Sequence, residues 1–288
     1  MIVRHRVVPI VAVASLVGLM VAGCGDTPDE PGTQDVEVGF AALVDGAEFS
    51  CEGEYQLGTQ DTSVTLTDFR FYVSKVHLID ADGDAVAVDL EDDGKWQNGS
   101  VALLDFEDGT GACQNGNADI NTSVRGTVPE GEYTGVRFTL GVPFDENHQN
   151  QAVADPPLNI ASMFWNWQGG YKFMRIDGMA QENAGFRIHL GSTACESPDG
   201  TEDVTSCANP NRPTVTLDGI DPMEDRIGLD VGTLYSEVDM TPNAEGKSAI
   251  CMSNPDHTVC EKIFPKLGLD FGEASASEID AFRVQTGN

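Results

Sequence analysis

Histidine and basic side chains are what this chain has least of. Five histidines and 16 lysines and arginines stand against 47 aspartates and glutamates in 288 residues. A formal charge of −31 argues against nucleic acid and anionic membrane surfaces, which are held by clustered Lys and Arg. It suits cationic partners, metal ions, and a soluble body held off a membrane. Catalytic signatures are missing as well. There is no Gly-x-Ser-x-Gly elbow, no His-Glu-x-x-His pair, no Gly-rich phosphate loop and no Cys-x-x-Cys. A carboxylate-pair glycosidase stays open in so acidic a chain, but nothing singles out a pair. No long stretch keeps a 3.6-residue period, although "EASASEIDAF" (273–282) has the composition of a short helix.

The chain opens "MIVRHRVVPIVAVASLVGLMVAGCG". A basic start at Arg4 and Arg6 precedes an apolar run from Val7 to Ala22, short of the roughly 20 residues that span a bilayer. Small residues then lead into Cys24. This is the pattern of a bacterial lipoprotein signal, residues 1–23, cut before a cysteine that is then acylated. Residues 24–35, with "DTPDEPGTQD", read as a flexible tether, and residues 36–288 as one folded domain. Losing Arg4 and Arg6 leaves 14 basic against 47 acidic residues, a formal charge of −33. The implied place is the bacterial cell envelope, lipid-anchored, periplasmic or on the outer-membrane surface.

Short alternating segments fill the remainder. "VRFTLGV" puts Val136, Phe138, Leu140 and Val142 on one face, and "FRIHLG" does so with Phe186, Ile188 and Leu190. "DFRFYVSKVHLID", "AVAVDL", "VALLDF" and "TVTLDG" read as further strands, with turns at Asp82-Gly83, Asp93-Gly94, Asp108-Gly109 and Asp218-Gly219. The pattern predicts an all-β, antiparallel β-sandwich. Cys51, Cys113, Cys195, Cys207, Cys251 and Cys260 make an even set in an exported chain, hence three disulfides with 15 possible connectivities. Cys51–Cys113, Cys195–Cys207 and Cys251–Cys260 is the expected pairing, since the last two close short loops. A cysteine metal site is the rival explanation.

Few residues remain for chemistry. His77 lies in a strand, His148 follows one, and His257 falls between Cys251 and Cys260. His189 alternates away from Phe186, Ile188 and Leu190, so it faces the other side of its strand. "DADGD" (80–84) puts acids at calcium-loop positions, but Ala85 replaces the required glycine and the flanks read as strands, so a hairpin turn is expected. "SMFWNWQGGYKF" (162–173) concentrates Trp165 and Trp167 beside two glycines. If extended, the stretch places both indoles on one face. Tyr171, Phe173, Met163 and Met174 read as packing.

Taken in order, "FSCEGEY" (49–55), "LTDFRFYVSKVHL" (66–78), "VALLDFEDGTGAC" (101–113), "GVPFDENH" (141–148), "PPLNIASMFWNWQGGYKFMRID" (156–177), "FRIHLGSTAC" (186–195) and "CANPNRP" (207–213) resemble the MbnP family. These are also called metallo-mystery pair four-Cys motif proteins. The resemblance implies an exported copper-binding protein, not itself an enzyme. Its partner is a di-haem protein related to cytochrome c peroxidase and MauG, which oxidises a tryptophan to kynurenine. Carried over residue by residue, it implies metal ligation by His148 and His189 together with the product of Trp165 or Trp167. The competing classes are a metal-free acidic adhesion or assembly module and a carbohydrate binder stacking sugars on the two tryptophans. On the lipoprotein expectation, a Cys24→Ala variant loses palmitate labelling in the producing cell; undiminished labelling would refute it.

Overall fold

A computed structural model describes residues 32–286 apart from positions 199, 201, 202, 244, 245 and 277. The expected leader, Cys24 and the expected tether up to residue 31 lie outside the described residues. Thr33–Asp35, expected as the tether's end, open the strand Thr33–Val44, where Thr33 pairs with Pro129. Backbone pairing needs no apolar side chain, so composition gave no sign of this start.

Two sheets carry the fold. One has the strand order 282–285, 226–230, 33–44, 123–129 and 89–90. The other runs 214–218, 133–140, 62–80, 174–180, 185–190 and 247–251. Its spine is the strand Thr62–Asp80, which pairs with Met174–Ala180 along Val64–Phe71 and with Tyr133–Leu140 from Val73 onward. Most pairings are antiparallel, as expected. Among the described residues two are parallel: Gly39–Leu43 with Arg226–Asp230, and Arg187–Ile188 with Ile250–Cys251. Periodicity reports which face a residue takes but not the direction of its neighbour, so these were not foreseeable.

The sheets meet through interleaved aromatic rings. Phe40 and Phe282 come from the first sheet, Phe71 and Phe138 from the second. Their edge-on contacts have centroids 5.4–6.2 Å apart, the preferred geometry for ring quadrupoles. Val136, Phe138, Leu140, Phe186, Ile188 and Leu190 are buried as the alternation required. "AVAVDL" divides between the sheets: Ala85–Ala87 pairs with the spine and Asp89–Leu90 with Ser123–Pro129.

The remaining local expectations divide. "DADGD" is a hairpin turn with Gly83 at φ 87°, and Asp80 Oδ1 accepts from the N–H groups of Asp82 and Asp84. All three expected disulfides are present. The described residues among 273–282 are not helical. Ala274 bridges Phe271, Ala276 N–H donates to Asp270 Oδ1, and Phe282 begins a strand. Ala and Ser supply helix propensity there but no apolar stripe to pack, and so short a helix needs one. Among the described residues no helix is long and apolar enough to cross a membrane.

Phe138 is fully buried between the sheets. Phe138→Ala should cost about 3–5 kcal/mol, read as a lowered urea midpoint with the slope retained.

Candidate metal centre

The tryptophan stretch folds as a small hairpin. Phe164–Asn166 pairs with Gly170–Tyr171, and Asn166 Oδ1 closes the turn by accepting from Gln168 N–H and Gly169 N–H at 3.0 and 2.8 Å. Trp165 is therefore a strand residue, whereas Trp167 lies in the turn. The expectation of two indoles on one extended face fails because the chain reverses after Asn166. Gly170 has φ 75°, and a Cβ there would fall 2.4 Å from Asn147, so only glycine lets the hairpin approach that side chain. Met163, Tyr171, Phe173 and Met174 are fully buried packing residues, as read.

His189 faces away from the aromatic core, yet it is buried. On this outer side of the second sheet the registers set Arg70, Arg175 and His189 in one row and Asp68, Asp177 and Arg187 in the next. His189 Nε2 lies 2.8 Å from Asp177 Oδ1, and Asp177 Oδ2 lies 2.8 Å from Arg175. Arg175 reaches Asp68 at 3.0 Å, Asp68 also binds Arg70, and Arg70 reaches Glu107 at 3.0 Å. Burial alone would raise Asp177, but the His189 hydrogen bond and nearby Arg175 outweigh it and hold the carboxyl at about 2. Burial pushes His189 below its ordinary value, and the Asp177 contact offsets this only in part.

A neutral imidazole donating Nε2–H to Asp177 keeps its lone pair on Nδ1. Among the described residues that nitrogen is buried with no hydrogen-bond partner. Metal-binding histidines commonly hand their other N–H to a carboxylate in this way. The segment carrying Trp165 is tied down over the same row, since Arg175 and Lys172 both donate to Ser162 O and Lys172 also to Phe164 O. Burial, with Arg175 nearby, lowers Lys172 to about 8. The Trp165 ring packs against Gly191, two residues beyond His189; a Cβ on Gly191 would fall 2.5 Å from Trp165 Cζ3. Trp165 Nε1 is likewise buried without a partner. The donors fit a nitrogen-seeking ion on one side only: His189 Nδ1 is ready, whereas an indole N–H has no lone pair to give.

His148 caps the short helix Phe144–Asn147 and has different partners. Its Nδ1 lies 3.4 Å from Trp167 O, and its Nε2 lies 3.1 Å from Asn147 Nδ2 and 3.5 Å from Cys207 Sγ. Asn147 is held in that orientation because its Oδ1 accepts from Tyr171 N–H at 2.9 Å. Burial lowers the His148 pKa, the Trp167 carbonyl notwithstanding. The His148, Cys195 and Cys207 ligand atoms lie within 4.8 Å of one another, but the two sulfurs are bonded together and carry no thiolate charge. The structure thus gives each predicted histidine its own set of partners.

Two features escaped the sequence reading. His257 lines an open groove of about 720 Å³ together with Trp165, Gln168, Thr193 and Met252, its Nδ1 accepting from Met252 N–H at 3.1 Å. The ion-pair row also went unseen, although the alternations Asp68-x-Arg70 and Arg175-x-Asp177 were its visible signs.

Fold and geometry together define an all-β, disulfide-pinned sandwich protein in which a buried imidazole, aimed by a carboxylate, sits beside an unpartnered indole. The chain belongs to the MbnP family, whose family model matches residues 33–253. A solved structure described as MbnP from Methylosinus trichosporium is 32% identical, with a TM-score of 0.77 over 89% of this chain and 100% of that one. Among curated proteins none matches.

Glu107 offers a test of the ion-pair row. Burial, with Asp68 close by, raises its carboxyl to about 8 despite Arg70. A carboxyl that holds its proton better folded than unfolded stabilises at low pH, and that contribution is lost as pH rises from about 4 to about 8. Glu107→Gln should flatten the fall of the urea midpoint across this window. An identical slope in variant and parent would reject the assignment.

Proposed function

We propose that this protein is an exported, lipid-anchored copper binder of the bacterial envelope, and the substrate, not the catalyst, of a di-haem peroxidase-like partner. The supporting observation is the pair of buried, unpartnered ring nitrogens, His189 Nδ1 and Trp165 Nε1, beside one strand end. One can bind a metal as it stands and the other only after its ring is opened.

Opening supplies the missing donor. Cleaving the indole C2–C3 bond places one oxygen on each carbon. Two equivalents of peroxide balance this, each giving one oxygen atom to the ring and leaving the other as water, with the partner's haem supplying the oxidising power. Hydrolysis then releases C2 as formate and leaves kynurenine, whose aryl amine has a usable lone pair. Trp165 is the favoured target over Trp167, whose turn position gives its carbonyl to His148. Of the two histidines that the resemblance implies as ligands, His189 is kept and His148 set aside, because His148 Nε2 is turned onto Asn147 Nδ2 and Cys207 Sγ. His189 and the new amine make a neutral nitrogen set, and copper heads the divalent affinity order for such ligands. Asp177 holds the tautomer, Lys172 and Arg175 hold the hairpin over the site, and Gly191 leaves room for the ring.

Peptide mass across residues 156–177 from native material should show Trp165 with one oxygen gained and one carbon lost. Copper should be retained by Trp167→Phe and His148→Ala, and lost from Trp165→Phe and His189→Ala. Full copper affinity in a variant lacking both tryptophans rules the proposal out.

A further inference from the structure

The contact between His148 and the Cys195–Cys207 disulfide uses residues that the proposed copper site leaves aside. The two cysteines face each other across a separate two-stranded sheet, Thr193–Glu196 with Ser206–Asn209. His148 approaches from another part of the chain, 59 residues before Cys207, and aims Nε2 at its sulfur from 3.5 Å. Its Nδ1–H faces Trp167 O, which leaves the lone pair on Nε2, the nitrogen nearest the sulfur.

We infer that this is a redox-gated cation site, in which reduction of Cys195–Cys207 converts a closed bridge into a His148, Cys195, Cys207 ligand set for a soft ion. The spacing supports it. In a tetrahedral zinc site with bonds of about 2.0–2.1 Å to nitrogen and about 2.3 Å to sulfur, a nitrogen–sulfur edge is roughly 3.6 Å. The 3.5 Å contact already matches that edge. Only the sulfurs must part, to roughly 3.8 Å, and all three atoms now lie within 4.8 Å of one another.

Access favours this bridge over the other two. Cys207 is half-buried, whereas Cys51, Cys113, Cys251 and Cys260 are sealed in the interior. A groove of about 450 Å³ lined by Phe144, Asp145, His148 and Asp203 opens beside the imidazole. It gives an ion an acidic approach and leaves a position for water as the fourth ligand. The reductant is a dithiol. One thiolate attacks Cys207 Sγ and releases Cys195. The second thiolate then resolves the mixed disulfide, freeing Cys207 and leaving the dithiol oxidised by two electrons. On ion binding the two thiol protons pass to water, and the ion displaces the Asn147 amide from His148 Nε2.

The test uses the purified full-length protein, with cobalt(II) as a spectroscopic probe and zinc(II) in equilibrium dialysis, before and after mild dithiol treatment. One equivalent of cobalt with thiolate-to-cobalt absorption should appear only in the reduced protein. It should be absent from Cys195→Ser/Cys207→Ser, and zinc affinity should fall at least about 10-fold in reduced His148→Ala. Near-UV circular dichroism follows the fold throughout. Equal binding by the oxidised protein, unchanged affinity in His148→Ala, cobalt held by the double serine variant, or unfolding on reduction would each overturn the inference. Because Trp165 and His189 are untouched, its failure leaves the copper proposal standing, and the reverse also holds.

Discussion

The hydrogen bond from His189 to Asp177, 2.8 Å long, decides which imidazole nitrogen keeps a lone pair, and the chemistry of the site follows from that choice. A half-buried carboxylate can do this only while it stays ionised. Asp177 stays ionised because the His189 hydrogen bond and then Arg175 outweigh the cost of burial, and Arg175 is fixed in turn by Asp68. Arg70 and Glu107 extend the row into the protein. Charges taken out of water are costly unless every one finds a partner. From Asp177 to Arg70 the row meets that condition by alternating sign, and Glu107, whose carboxyl keeps its proton to about pH 8, closes it against Arg70, so its members are positioned as a unit.

The spine strand makes this possible by being buried on both faces. Phe69, Phe71 and Val73 point into the aromatic core, while Asp68, Arg70 and Tyr72 point the other way and are covered as well. The covering layer includes the tryptophan hairpin, held by Lys172 and Arg175 and packed through Tyr171 on Tyr72. One layer of backbone therefore separates a hydrophobic core from a polar one. At the end of the strand that carries His189, the Trp165 ring packs on Gly191.

Much of this was legible in the chain. Alternation located the strands and their core residues, turn dipeptides located the hairpin at Asp82-Gly83, and short spacing paired four of the cysteines. Ordered motifs pointed to the MbnP family, to which the chain belongs. Other features left no signal. "DFRFYV" reads as a strand half-exposed to water, because alternation shows that Asp68 and Arg70 leave the core but not that another layer buries them. Trp165 and Trp167 looked equivalent until the Asn166 turn assigned one to a strand and the other to a loop.

Sequence by itself determined the all-β class, the acidic surface charge and the residue types available for a site, since these depend on composition and on order along the chain. Tertiary structure alone decided that His189 is buried against a carboxylate with one nitrogen unpartnered, and that His148 instead faces a disulfide. Both outcomes depend on which distant segments pack together. Dielectric surroundings and hydrogen-bond partners are properties of that packing, and no local pattern encodes them.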